Sequence, residues 1–139
     1  MKKVMVFGAF DGLHPGHLDF FRQAKKYANF LIVSVGTDKN VEKFKDRKPL
    51  FSQEERLELV KNCRLVDLAV LGSEKDFYLH IKKYSPDIIC LGYDQWASEG
   101  EVKQGLLSVG LVSTKVIRLR PHKIDRAKST HLKDQSVDF

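Results

Sequence analysis

Cysteine is scarce in this 139-residue chain: Cys63 and Cys90 stand far apart and form no CxxC pair. That leaves no disulfide framework and no thiolate zinc clamp, and two inert, buried thiols in a cytosolic protein are expected. Long apolar runs are missing as well. No stretch approaches the ~20 residues that a membrane span requires, and the N-terminus MKKVMVFGAFDG has no signal-peptide cleavage region. A cytoplasmic protein without membrane attachment is therefore expected. There is no arginine-rich tail and no basic patch interleaved with aromatics, which argues against nucleic acid as a partner. Internal repeats, low-complexity segments and linkers are absent too, so 1–139 reads as one domain, long enough to bury a core.

What is present is ordinary in bulk and unusual in detail. Hydrophobic residues make up 42% and charged residues 30%, typical of a globular protein. The net charge is +6, densest at KNVEKFKDRKP, a surplus that suits an anionic partner such as a nucleotide.

Short runs rich in valine and isoleucine, KKVMVF, FLIVSVG, DLAVLG, DIICLGY and TKVIRL, are apolar on consecutive positions. Strands buried on both faces of a parallel sheet have this pattern. Helical patterns lie between them, in HLDFFRQAKKYA, SQEERLELVKNC, EKDFYLHIKKYS and, more weakly, EVKQGLLSVG. Ser52 followed by Glu55 is a capping-box spacing. The alternation predicts right-handed βαβ crossovers and an α/β fold: a Rossmann-like, doubly wound, parallel five-stranded sheet in the order 3-2-1-4-5. Strand order would then reverse between the first and fourth strands, and ligands bind at the carboxyl ends beside such a reversal. GAFDGLHPGH and LGYDQW should meet there.

The stretch GAFDGLHPGHLDFF, residues 8–21, admits four readings: a metal site, a nucleophile with its base, a phosphate cradle or a plain turn. Pro15 suits the first turn of a helix, so the helix begins at the HPGH corner with its free N–H groups toward the crevice. His14 and His17 lie about one turn apart and can face one bound group, while Gly8 and Gly16 let backbone approach it. Zinc would want further ligands; Asp11 could supply one, but no cysteine is near. The segment holds no serine or cysteine nucleophile. A ring of imidazole and amide donors suits a polyphosphate.

Gly8-x-Phe10-Asp11-x-x-His14-x-Gly16-His17 resembles the signature of the HxGH nucleotidyltransferase superfamily, in its small cytidylyltransferase-like branch. KNVEKFKDRKPLFSQEER is similar to that branch's basic loop and second helix, PDIICLGYDQ to its fourth strand and nucleotide loop, and AKSTHL to its Ser-Thr pair. The resemblance implies transfer of a nucleoside monophosphate from a nucleoside triphosphate to a phosphate monoester, with release of pyrophosphate. It implies catalytic roles for His14, His17 and Lys45, and phosphate contacts from the backbone at Ala9 and Phe10, from Lys43, and from Ser129 and Thr130. Asp11 would orient the site. Mg²⁺ would accompany the triphosphate, Arg64 matches an arginine that contacts acceptor phosphate, and a homodimer is implied. Lys128 departs from the usual isoleucine before Ser-Thr.

The base-reading loop is Gly92-Tyr93-Asp94-Gln95, followed by Trp96. Glycerol-phosphate cytidylyltransferases usually carry GDDW there. Asp94 and Gln95 together offer acceptors and a donor for an amino-bearing base edge, and Tyr93 or Trp96 could stack on it. LGYDQ, with PDII before it and RKP in the basic stretch, is closer to the archaeal-type FAD synthetases of the same branch, which adenylylate FMN with ATP. Adenine is thus favoured, with a CTP-dependent enzyme acting on glycerol 3-phosphate as the alternative. A non-catalytic nucleotide-binding domain would be expected to lose a phosphate contact; both histidines, the basic stretch and the Ser-Thr pair are all present.

Overall fold

Consecutive apolar side chains in KVMVFG leave the first strand, β1 (Lys3–Gly8), with no face to turn to water, and it occupies the centre of the sheet. β2 (Phe30–Val35) pairs with it in parallel along its whole length, from Lys3 opposite Phe30 to Gly8 opposite Val35. β3 (Leu68–Leu71) extends the sheet beyond β2, while β4 (Ile88–Leu91) and β5 (Lys115–Arg118) extend it on the other side. The order is β3-β2-β1-β4-β5, all parallel, as the alternation of elements predicts. The computed structural model describes residues 1–95 and 97–121.

Alternation along the strands divides the core in two. Val4, Val6, Leu31 and Val33 face α1 (Pro15–Lys25) and α3 (Gln53–Lys61), where Phe21, Ala24 and Val60 meet them. Met5, Ile32 and Ile89 face α4 (Phe77–Tyr84) and α5 (Glu99–Ser108), packing on Ile81, Val102 and Leu106. Helices thus cover both sides, and the reversal of strand order leaves a crevice at the carboxyl ends of β1 and β4.

The Ser52–Glu55 capping box forms as the spacing predicts: the Glu55 amide donates to Ser52 Oγ at 3.2 Å and the Ser52 amide to Glu55 Oε1 at 2.9 Å. Two expectations change. The basic stretch is no loop over most of its length but a helix, α2 (Asp38–Lys45), started by Thr37 accepting from the Asn40 amide and stopped at Asp46, whose φ is 57°. Its signal is weak in sequence because Val41 is its one buried side chain. Of the two thiols, Cys90 is buried and pushed up to about 12 by that burial, but Cys63 is partly exposed. Among the described residues no helix is long and apolar enough to cross a membrane.

Candidate active site

The turn after β1 is built around one unusual residue. Phe10 has φ 51°, in the left-handed region that a bulky side chain seldom enters. Its ring folds back over Gly8, where an added Cβ would come within 2.7 Å of Phe10 Cζ, so position 8 admits only glycine. The ring is 1% exposed and packs on Phe21 and His17. Phe10 therefore has only its backbone to offer a ligand.

The histidines that follow form a capping box made of imidazoles. His14 is the N-cap of α1, and its Nδ1 accepts from the Gly16 amide at 3.1 Å. His17 Nδ1 in turn accepts from the His14 amide at 3.3 Å. The rings stack, with centroids 3.8 Å apart. With Nδ1 an acceptor in each ring, the proton of the neutral imidazole sits on Nε2. Both rings thus present an Nε2–H at the positive end of a helix, and that of His14 is buried with no hydrogen-bond partner among the described residues. Gly16 serves a purpose beyond ligand approach: a Cβ there would lie 2.9 Å from His14 Cε1 and expel the capping ring.

Asp11 orients this corner. Its carboxylate accepts from the amides of Leu50 and Phe51 at 2.7 and 2.9 Å, fastening the start of α3 to the β1–α1 turn. Arg56, which the sequence reading passed over, completes the fastening. It is fully buried and donates to the carbonyls of Ala9, Gly36 and Phe51 at 2.8–3.0 Å and to Asp38 Oδ1 at 2.7 Å. Its one sequence signal is its place four residues before Val60, on the helix face turned to the sheet.

Across the crevice, Gln95 braces the site. Its amide bonds to backbone, Nε2 donating to the Phe7 carbonyl and Oε1 accepting from the Gly92 amide, both at 2.8 Å. It ties the end of β4 to the end of β1, a role that the sequence pattern does not reveal. Arg118 of β5 holds the same loop through the carbonyls of Gly92, Gln95 and Ala97. Tyr93 is exposed, while Asp94 is half-buried with Oδ2 lacking a hydrogen-bond partner among the described residues. Burial raises the Asp94 carboxyl above its ordinary range, and the charges of Lys45 and Arg118 oppose the rise.

That coupling brings α2 to the site: Lys45 faces the β4 loop, and Lys43 and Lys45 line a cavity of about 670 Å³ that also touches Gly8 and Gln95. Arg64 does not join them. It follows α3 and precedes β3, whose first residue pairs with Ile32, so it is exposed at the amino-terminal edge of the sheet, opposite the crevice. A parallel crossover must return there before the next strand begins. Trp96, Lys128, Ser129 and Thr130 lie outside the described residues. Among the described residues no three His, Cys, Asp or Glu side chains gather as a metal cluster.

A doubly wound sheet with imidazole donors at a helix N-terminus beside the strand reversal defines a nucleotide-handling α/β domain. The chain belongs to the cytidylyltransferase-like family, whose model matches residues 5–135. It is 45% identical to a FAD synthase of Methanohalophilus mahii over 88% of this chain and 85% of that one. It is 34% identical to a FAD synthase of Picrophilus torridus over 99% and 97% of the two chains. Among solved structures it matches a Thermoplasma volcanium protein described as a lipopolysaccharide core biosynthesis protein, with TM-score 0.84, 34% identity and coverage of 88% and 99%. The fold alone is shared with a pantoate-beta-alanine ligase of Francisella tularensis, at TM-score 0.60 and 16% identity, over 98% of this chain and 69% of that one.

Proposed function

We propose that the chain transfers AMP from ATP to FMN, forming FAD and releasing pyrophosphate. The observation that carries this reading is the imidazole capping box, which commits Nδ1 of both stacked rings to backbone and leaves the His14 Nε2–H with no hydrogen-bond partner among the described residues. Support for these particular substrates comes from FAD synthases that are 34–45% identical over most of this chain.

In this reading an oxygen of the FMN phosphate attacks the α-phosphorus of ATP in line. The new P–O bond forms as the bond to pyrophosphate breaks, and no protein nucleophile takes part. Catalysis is then positioning and charge stabilisation. His14 and His17 donate to phosphate oxygens whose charge grows in the transition state, without reorganising, because their rings are already fixed. Lys45 and Lys43 supply positive charge from the last turn of α2. Asp94 Oδ2 accepts from the amino group of the base. Imidazole N–H, amide and lysine donors fit phosphate oxygens, and Mg²⁺ prefers those oxygens and water to an all-protein cage, so the ion would arrive on the triphosphate. Once bound it neutralises charge on the leaving pyrophosphate. A cytoplasmic homodimer belongs to the same reading, through family likeness.

The test pairs ATP or CTP with FMN or glycerol 3-phosphate, reading pyrophosphate release and the nucleotide product by chromatography. ATP with FMN should exceed every CTP pair at least about tenfold. CTP with glycerol 3-phosphate as the better pair would overturn it.

A further inference from the structure

The cavity touching Gly8 and Gln95 extends away from the histidines, over the carboxyl ends of β2 and β3 and between α2 and α4. Part of its wall is aromatic. Phe7 and Phe77 stand 5.0 Å apart, Tyr78 meets Phe77 edge-on at 5.1 Å, and Phe44, 66% exposed on α2, faces in from the opposite side. At about 670 Å³ it falls within the range of roughly 300–1,000 Å³ usual for ligand pockets.

Among the polar residues that also line it, Ser34 and His80 form a hydrogen-bonded pair. Ser34 is a hydroxyl in the middle of the sheet, 4% exposed, where its β2 neighbours on either side are valines. Its Oγ lies 2.9 Å from His80 Nε2 of α4, and both residues line the cavity. Burial, with the charge of Lys83, holds the His80 ring below its ordinary range and so neutral near pH 7. A hydroxyl and a neutral imidazole bonded to each other leave one donor and two acceptor sites, whichever of them gives the first proton. Neither core packing nor the histidine pair of α1 accounts for such a couple.

We infer that this cavity binds the flat, heteroatom-rich ring system of the acceptor, with Ser34 and His80 reading its polar edge between the aromatic side chains. The inference rests on the proposed reading of the acceptor as FMN. Lys43, Lys45 and Arg47 border the same space, so a ring seated here has its phosphate tail directed toward cationic groups and the β1 turn. Aromatic faces suit a tricyclic ring, and the donor and acceptors left over on the Ser34–His80 pair disfavour rings that cannot pair with them.

Flavin fluorescence titrations of the full chain test this, with riboflavin and FMN as probes and ATP binding measured separately by calorimetry. Ser34→Ala, His80→Leu and Phe44→Ala should each weaken riboflavin and FMN alike by about tenfold and leave ATP affinity unchanged. Phe44 is exposed on α2, so its truncation keeps the test decisive if the buried variants fail to fold. Unchanged flavin affinity in Phe44→Ala, or in either other variant when folded, overturns the cavity assignment while FAD synthesis by the wild type stands. Loss confined to FMN, with riboflavin unaffected, overturns it as well, since the contacts would then be to phosphate. A wild type that binds no flavin and makes no FAD removes both this assignment and the proposed function.

Discussion

His14, stacked on His17, joins cap and donor in one ring: its Nδ1 accepts from the Gly16 amide, and its Nε2–H has no hydrogen-bond partner among the described residues. The two roles separate by mutation. Asparagine is a good N-cap but lacks the distal donor, so His14→Asn should keep the melting temperature near wild type while turnover falls about 10²–10³-fold. His14→Ala should lose the same rate and in addition about 1 kcal/mol of stability. Equal melting temperatures for the two variants would mean that the cap contributes nothing.

Arg56 is the second point where stability and site geometry coincide. Replacing it by alanine strands three carbonyls, that of Ala9 in a buried bond, and leaves Asp38 without its partner, and should cost about 3–5 kcal/mol in urea unfolding. Asp38 is 45% exposed in the pair, so Asp38→Asn should cost only about 1 kcal/mol. Arg56→Lys should rescue little, because an ammonium cannot reach several carbonyls from one fixed plane.

How much of this was legible depended on range. The five strands, the HPGH helix start and the Ser52–Glu55 cap depend on neighbours in sequence, and periodicity with cap chemistry exposes them. Arg56 reaches Ala9 over 47 positions and Gln95 reaches Phe7 over 88, and nothing local marks either contact. In QEERLELVK an arginine that will be fully buried looks like one more solvated charge, and in LGYDQ nothing marks the amide as a strut. α2 was missed for a related reason: a helix with a single buried residue leaves almost no apolar periodicity. Ser34 was hidden inside a strand, where a hydroxyl among valines signals a cavity only once His80 is seen opposite.

Gly105 predicts a packing conflict between α4 and α5. A Cβ at this position would fall inside the ring of Tyr78, so Gly105→Ala should destabilise by about 1–3 kcal/mol through overpacking. That reverses the usual preference of a helix interior for alanine. With Tyr78→Ala the conflict disappears, and the same Gly105→Ala change should become stabilising by about 1 kcal/mol. A double-mutant cycle in urea checks the coupling; additive costs would contradict it.

Asp94 predicts a pH dependence of stability. Burial raises its folded pKa above the unfolded value, so the folded state binds the extra proton between the two. Stability attributable to this residue therefore falls as pH rises from its ordinary range through the raised folded value. Asp94→Asn never carries the buried charge. It should be more stable than wild type at neutral pH, and the advantage should shrink to nothing as pH drops through that window. Melting temperatures of the two proteins between pH 3 and pH 8 measure it, and a difference constant with pH would count against a desolvated carboxylate.

Asp94 and Gln95 adjoin in sequence but should affect nucleotide choice differently. Asp94 has an acceptor oxygen turned to no protein donor among the described residues, whereas both ends of the Gln95 amide are held by the Phe7 carbonyl and the Gly92 amide. A side chain that touches the base changes the ratio between bases; one that only holds the loop changes all bases together. Gln95→Leu should therefore lower kcat/KM for ATP and GTP by the same factor, about tenfold or more, because two backbone groups lose their partners and the loop shifts. Asp94→Asn should alter the ATP-to-GTP ratio itself, since a carboxylate accepts from the adenine amino group and repels the guanine carbonyl, whereas an amide can accept from the one or donate to the other. Steady-state rates with both triphosphates on the two variants decide the matter. A changed ratio in Gln95→Leu with an unchanged one in Asp94→Asn would reverse the assignment and return base reading to the glutamine.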